Sequence, residues 1–307
     1  MVAFCYCKAQ PFRIMSYNVE NLFDTIDNPL TADNEFTPDS DRHWDTYRYW
    51  RKINQISRVI ADVGEWQHAA IIGLIEIEAD TCLRDLCQRG SLRKFGYQYI
   101  HYESEDVRGI DVALLYDPKQ FKVIEQYPIR IDFGYKTRPT RDILYVKGLM
   151  PNNDTLHVMV CHAPSQLGGQ EAQRKREFVL TQINSTADSI LTNNPSAQIV
   201  LMGDFNDKPQ HISPHIPALQ NLMDTAPKTL TCFQNSALGT YVYQEQWSLL
   251  DQFFVSQELQ NKCKARIYNP DWLMKDGNPH RNYTYIRYDR TGFSDHLPIY
   301  LDIILDN

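Results

Sequence analysis

The sequence predicts an α/β protein built as two packed, mostly antiparallel β-sheets with helices on the outside. Three observations carry that expectation. Apolar runs of strand length recur from end to end, some joined by hairpin turns; two long segments space their apolar residues as helices do; and no linker, repeat or shift in composition divides the chain. The 307 residues are 43% hydrophobic and 22% charged, which suffices for a sizeable core in one domain. Residues 11–307 are read as that domain.

The first strand is expected over Phe12 to Tyr17, followed by a long polar loop through Asp41 that contains Pro29 and Pro38. Tyr47 to Val63 reads as a helix, with Ile53, Ile56, Val59 and Ile60 on one face. Ala70 to Ile77 is a continuous apolar run of the buried-strand kind. Strands are expected at Tyr97 to Tyr102, Val112 to Tyr116 and Phe121 to Tyr127. Ile143 to Leu149 and Leu156 to Cys161 form a hairpin around Pro151-Asn152-Asn153-Asp154. Glu171 to Leu191 is the longest helix, stopped by Asn194-Pro195. Four strands remain: Gln198 to Met202, Gln252 to Val255, Ala265 to Tyr268 and Ile299 to Ile304.

No apolar run approaches the roughly 18 residues of a membrane span. The formal net charge of −7 argues against a protein that coats nucleic acid by bulk attraction, though not against an enzyme that meets a few phosphates through a local basic patch. The seven cysteines cannot all pair with one another, and neither Cys5-x-Cys7 nor Cys82-x4-Cys87 has the second ligand pair of a zinc site. Met1 to Gln10 resembles the tail of a secretory signal without its charged start, or a disordered N-terminus. As written the chain is expected in the cytoplasm; with an upstream start it would be exported or periplasmic.

Polar residues collect where the strands end. Asn18 and Glu20 follow the first strand, Glu76 closes the second, and His162 closes another. Asp204 and Asn206 follow Gln198 to Met202, Asp251 begins Gln252 to Val255, and Asp295 and His296 precede the last strand. Residues two apart on an extended backbone share a face, so Asn18 with Glu20, and Asp204 with Asn206, are each expected in one site. Carboxylates, amides and imidazoles aimed out of a buried sheet suit a metal-assisted hydrolase. An Asp and an Asn at a strand end also make a good turn.

This pattern resembles the endonuclease/exonuclease/phosphatase superfamily, which contains pancreatic-type deoxyribonuclease, apurinic-site endonucleases, neutral sphingomyelinases and inositol polyphosphate 5-phosphatases. Six short motifs fall in the family's order over nearly the whole chain. They are Tyr17-Asn18-Val19-Glu20-Asn21-Leu22, Leu74-Ile75-Glu76-Ile77-Glu78, Cys161-His162-Ala163-Pro164-Ser165, Gly203-Asp204-Phe205-Asn206, Leu250-Asp251-Gln252 and Ser294-Asp295-His296. The resemblance implies a four-layer α/β sandwich that hydrolyses phosphate esters with Mg2+ or Mn2+.

Roles follow from chemistry and resemblance together. Glu76 is the expected ligand for a hard divalent ion, with Asn18, Glu20 and Asp295 close by. His296 would take a proton from the attacking water, with Asp251 fixing its tautomer, and Asp204 and Asn206 would orient that water and the phosphoryl oxygen. His162 would serve the leaving group. In the deoxyribonuclease branch a carboxylate orients this histidine, and Asp111 is the nearest match, with Arg108 and Arg141 as phosphate contacts; a plain structural salt bridge is the alternative for Arg108 and Asp111.

The segment Arg281 to Arg290 interleaves arginine and tyrosine: Arg281, Tyr283, Arg287 and Arg290 would meet phosphates, bases or sugars, with Tyr241, Tyr243 and Trp247 adding to the wall. A tyrosine-rich hairpin with alternate residues facing the core reads equally well. The expected partner is a phosphodiester substrate, nucleic acid among the choices, met by a monomeric enzyme. A phosphomonoesterase or lipid-headgroup hydrolase of the same superfamily is the alternative. A non-catalytic binding protein on this fold is the third reading, disfavoured by the intact set of site residues.

Overall fold

The computed structural model describes residues 11–305 apart from 66, 135–136, 224–238 and 285–286. Expectations about Met1 to Gln10, Cys232, Tyr285 and Ile286 lie outside the described residues. In chain order the first sheet supplies β1 (Phe12–Leu22), β2 (Ile71–Ile77), β3 (Gln98–His101) and β4 (Asp111–Tyr116). The second supplies β5 (Lys122–Ile129), β6 (Ile143–Leu149), β7 (Thr155–His162), β8 (Gln198–Asp204) and the short β9 (Gln220–Asn221). A hairpin of β10 (Tyr241–Tyr243) and β11 (Gln246–Ser248) leads to β12 (Asp251–Val255), which returns to the second sheet. β13 (Cys263–Ile267) joins the first sheet. Two small hairpins follow, β14 (Met274–Lys275) with β15 (Asn278–Pro279) and β16 (Tyr283–Thr284) with β17 (Arg287–Tyr288). β18 (Ile299–Ile303) closes the first sheet between β13 and β1. The main helices are α1 (Thr46–Val63), α2 (Asp80–Arg84), α3 (Gly169–Asn193) and α4 (Pro209–Ile212).

The two six-stranded sheets run β13-β18-β1-β2-β4-β3 and β5-β6-β7-β8-β12-β9. Each has one parallel pair, β1 with β2 and β7 with β8, and is otherwise antiparallel. Three apolar layers hold the sandwich. Ile14, Ile71, Leu114, Val158, Met202 and Phe253 belong to the core between the sheets. Met15, Tyr17, Ile72 and Leu74 face α1 through Ile53, Ile56 and Ile60. Met159, Ile199, Leu201 and Phe254 face α3 through Val179, Leu180 and Ile183. Central strands are therefore buried on both faces, and their sequences read as unbroken apolar runs rather than alternating ones. The order α1, sheet, sheet, α3 is the four-layer arrangement.

Close approach of the sheets explains Gly73: a Cβ there would come within 2.8 Å of Met202 Cε. α1 starts where Asp45 accepts a hydrogen bond from the Arg48 amide at 2.9 Å, capping one free N–H of the first turn. β1 runs past the expected end at Tyr17 because a bulge after Asn18 lets Leu22 pair with Ile77. Cys82, Cys87, Cys161 and Cys263 are free thiols. No helix among the described residues is long and apolar enough to cross a membrane.

Candidate active site

The site is made by continuing the rows of the inter-sheet core one step past its end. On β7 the inward row Leu156, Val158, Val160 continues to His162; on β8, Val200 and Met202 continue to Asp204; on β12, Val255 and Phe253 lead back to Asp251. Strand pairing sets these three side by side, His162 against Asp204 and Asp204 against Asp251. In the facing sheet Ile14 and Ser16 lead to Asn18. Its amide donates to Asp204 Oδ2 at 3.1 Å across the sandwich, and Glu76 Oε1 lies 3.5 Å away.

Glu76 arrives by a different device. The β2–β4 register slips between Ile75 and Ile77, and Glu76 occupies left-handed backbone at φ 68°. The bulge turns its carboxylate inward while Ile77 stays in the α1-side core. Glu20 (φ 55°) and Asn206 (φ 51°) are likewise left-handed, a concentration of non-glycine outliers usual where geometry serves a site. Gly203 (φ 144°) has no alternative, since a Cβ would stand 1.9 Å from the Cys161 carbonyl oxygen.

His296 is positioned from both sides. Ser294 Oγ donates to Asn18 O at 2.7 Å and accepts from the His296 amide at 3.0 Å. The ring lies 4.8 Å from that of Tyr241, and Nδ1 meets Asp251 Oδ2 at 2.7 Å. That leaves Nε2 facing Asp204 Oδ2 at 3.8 Å. Burial opposes the charged imidazole, but Asp251 and Asp204 outweigh it and raise the His296 pKa well above its ordinary value. Burial, with Asp251 and Glu76 nearby, pushes Asp204 up to about 6.

His162 has the opposite environment. Burial, Arg141, Arg108 and His296 hold its pKa well below the ordinary imidazole value. Arg141 Nη2 lies 2.8 Å from His162 Nε2, and Arg141 Nη1 pairs with Asp106 at 3.2 Å. Asp111 does not reach His162. It begins an edge-side strand of the other sheet, where its neighbours are His101 at 3.7 Å and the Ser104 amide at 3.4 Å. Arg108 donates to Asn21 Oδ1.

The structure divides the expected ligand set. Asn18, Glu76 and Asp204 converge, whereas Glu20 leaves the extended backbone and does not share Asn18's group. Glu20 Oε1 accepts from Arg281 at 2.6 Å, and Arg281 Nη2 lies 3.2 Å from Asp295 Oδ2. Burial and Asp295 push Glu20 up to about 7 against the pull of Lys52 and Arg281. Arg281 is therefore an internal counter-ion to two carboxylates. Asn206 makes the turn as well: its amide donates to Asp204 Oδ1 at 2.9 Å and its side chain to Ala163 O at 3.0 Å. Tyr283 is buried, its ring 6.0 Å from Trp44 and 5.2 Å from Tyr288, so it offers no face to a base. Arg287 and Arg290 are exposed, and Arg287 lies on the small β16–β17 hairpin.

A model of the Endonuclease/Exonuclease/phosphatase family matches residues 13–304. The chain belongs to that family. A search of curated proteins finds no match. Among solved structures, truncated TDP2 of Caenorhabditis elegans superposes with a TM-score of 0.64 at 16% identity, covering 96% of this chain and 97% of that one. A mannosyl-6-phosphatase of Bacteroides thetaiotaomicron gives 0.59 at 14% identity, covering 96% and 100%. The human Nocturnin catalytic domain, with bound sulfate, gives 0.58 at 18%, covering 95% and 93%. At such identities these likenesses establish the shared fold.

In this endonuclease/exonuclease/phosphatase family member, three charged residues at the site lay beyond the sequence reading. Lys52 is 2% exposed on the apolar face of α1 and donates to Phe293 O at 2.6 Å and Asn282 Oδ1 at 3.1 Å. Arg176, 8% exposed on the buried face of α3, spans Asp207 Oδ2 at 3.2 Å and Ser165 O at 3.1 Å, clasping the loops that follow Asp204 and His162. Asp106 anchors Arg141. Lys52 stands one turn from Ile56 and Arg176 one turn from Ala172 and Leu180, so a lone cation on an apolar helix face was the available signal. Asp106 sits in a loop and gave none.

The donor chemistry suits a hard divalent cation. The half-buried Glu76 stands beside the buried Asp204 carboxylate, and the buried Glu20 Oε2 and Asp251 Oδ1 have no hydrogen-bond partner. Ligand atoms of Asp204, Asp251 and His296 also lie within 4.8 Å of one another. A cation among those three would compete with the 2.7 Å Asp251–His296 bond, so the oxygen set around Glu76 is the better fit.

Proposed function

We propose that the protein is a divalent-cation-dependent phosphoester hydrolase that cuts phosphodiesters, using His296 and Asp251 to activate water. The observation that carries this reading is the Asp251–His296 pair at 2.7 Å with Nε2 turned to Asp204 and the carboxylates beyond it. Glu76, with Asp204 and Asn18 around it, would hold Mg2+ or Mn2+. When bound, the cation would offset the carboxylate charge, bring the proton affinity of His296 down toward neutral pH and polarise a phosphoryl oxygen.

Each remaining role falls to the chain itself. His296 Nε2 accepts a proton from a water oriented by Asp204, and Asp251 stabilises the imidazolium so formed. Asn18 holds the Asp204 carboxylate in place. His162 is kept neutral by burial and by Arg141, whose guanidinium lies against the ring at 2.8 Å, so the pair would meet the departing oxygen with hydrogen bonds rather than a full proton. Arg141, restrained by Asp106, contributes fixed positive charge beside it.

Hydrolysis of a panel of phosphodiesters and phosphomonoesters in Mg2+ and in Mn2+, with His296→Ala purified in parallel, tests the reading. Cation-dependent cleavage of diesters that disappears in the variant is expected. Absence of cation-dependent hydrolysis of every ester would overturn it, and hydrolysis confined to monoesters would move the assignment to a phosphatase.

A further inference from the structure

We infer that a cleft at the N-terminal end of α1 binds the unscissile nucleotides of a single-stranded nucleic acid, through arginine contacts to phosphates and a tyrosine face for a base. The inference rests on the phosphodiesterase reading for its substrate and adds a second, separate place where that substrate is held.

The cleft has a volume of about 850 Å3 and is lined by Tyr47 and Arg48 of α1, by Arg287, Tyr288 and Arg290 around the β17 strand, and by Lys275. That exceeds what a single phosphate needs and falls in the range of sites for larger ligands. Its two acidic residues are already engaged. Asp45 is the cap of α1, and the Asp289 carboxylate is bound to Lys275, to His280 at 3.1 Å and to Thr291 Oγ1 and the Thr291 amide. The engaged guanidiniums meet only neutral groups. Arg48 donates to the Arg42 carbonyl and lies 4.7 Å over the Tyr288 ring, while Arg51 donates to the Arg290 carbonyl. Among the described residues none of Arg48, Arg51, Arg287 and Arg290 pairs with a carboxylate, in a chain whose net charge is −7. Three arginines of the cleft wall, Arg48, Arg287 and Arg290, with Arg51 against the Arg290 backbone, are left without acidic partners, a local basic patch of the kind that takes phosphates.

The aromatic component selects the class of polyanion. Tyr47 is 58% exposed at the cleft wall, with Arg51 5.9 Å from its ring centre. An exposed tyrosine beside arginines offers a stacking platform that every nucleobase satisfies and a paired duplex does not. The segment that walls the cleft also reaches the reacting groups. Arg281 touches Glu20 and Asp295, and a small cavity of about 50 Å3 beside it is lined by Trp44 and Tyr283. Tyr283 pairs with Tyr288 of the cleft across the β16–β17 hairpin. A ligand held in the cleft while it meets the reacting groups would extend over several groups, as a strand does and a monoester does not.

The test is direct binding in EDTA, where cleavage is silent, of a fluorescein-labelled oligodeoxythymidylate of about ten nucleotides. The Arg287→Ala/Arg290→Ala double variant should weaken Kd by roughly tenfold or more and lower the slope of log K against log salt by about 1.4, two single-strand phosphate contacts. Tyr47→Ala should weaken Kd about tenfold with the salt slope unchanged. Arg287→Lys/Arg290→Lys should restore the salt slope, and the Lys122→Ala/Lys264→Ala double variant, remote from the cleft, should bind as wild type does. Absence of oligonucleotide binding by the wild-type protein would overturn the inference, as would a double variant with unaltered Kd and slope. Equal affinity for heparin, insensitive to Tyr47→Ala, would overturn the nucleotide assignment. The two readings fail separately: small diesters cleaved without oligonucleotide binding removes the cleft alone, and cleft-dependent binding without hydrolysis of any ester removes the catalytic reading alone.

Discussion

At the scale of single residues, the proposed mechanism separates groups that hold charge from groups that move a proton. Glu76→Gln keeps shape and removes charge, so Mg2+ affinity and turnover should fall together, each by about tenfold or more. His296→Ala should abolish turnover while calorimetric Mg2+ affinity stays near wild type; a matching loss of affinity would make His296 a ligand instead of a base. Arg176 touches no reacting atom and acts by clasping the Ser165 and Asp207 loops. Arg176→Ala should lower kcat by about tenfold to a hundredfold with little change in KM, and Arg176→Lys should recover part of it. A drop in thermal stability alone, with kcat unchanged, would leave it a purely structural clasp. Asn18, Glu76, His162 and Asp204 were visible in the sequence because each ends an apolar run. The left-handed turn at Glu20, which sends its carboxylate to Arg281, was not, because a bulge is decided by pairing with a distant strand.

At the scale of elements, apolar runs located the strands because both faces of the central ones are buried. Their direction was less legible: a parallel pair and an antiparallel pair place identical demands on side chains, so the β1–β2 and β7–β8 pairings emerge only in three dimensions. The same strand that carries His162 into the site carries His157 at its other end, where Nδ1 meets the Tyr145 hydroxyl at 2.7 Å. Burial, with Lys147 beside it, holds the His157 pKa below the ordinary value, and Glu125 opposes this only in part. The sign is that of a base that folding keeps neutral. The unfolded chain takes up a proton near the ordinary imidazole value of 6.5 that the folded one refuses, so this contribution to stability is lost as pH falls below that value. His157→Gln should flatten the curve of Tm against pH between about 7 and 5. An unaltered slope in that window would show that His157 titrates alike in both states.

At the scale of the whole molecule, buried carboxylates at one rim oppose folding unless a cation offsets them. Mg2+ at a hundred times its Kd should stabilise by about 2.7 kcal/mol, raising Tm by roughly 5 °C, with EDTA reversing the rise and Glu76→Gln abolishing it. Equal Tm with and without Mg2+ would show that the folded protein holds no cation. The four layers were legible from composition and order of elements. Of the α1 cleft, the arginine–tyrosine segment with Arg287 and Arg290 was legible, but its meeting with Tyr47 and Arg48 was not, since the two walls share no motif. One feature of the topology also governs timing. β1 has β18 as its antiparallel neighbour, pairing Phe12 with Ile303, and His296, the proposed proton acceptor, precedes that same strand. A chain that has not yet reached His296 would thus lack its proposed base whatever else has folded, and contact between such distant segments is the slow kind to form. The proposed hydrolase would in this way stay silent until the strand that completes its first sheet has been made.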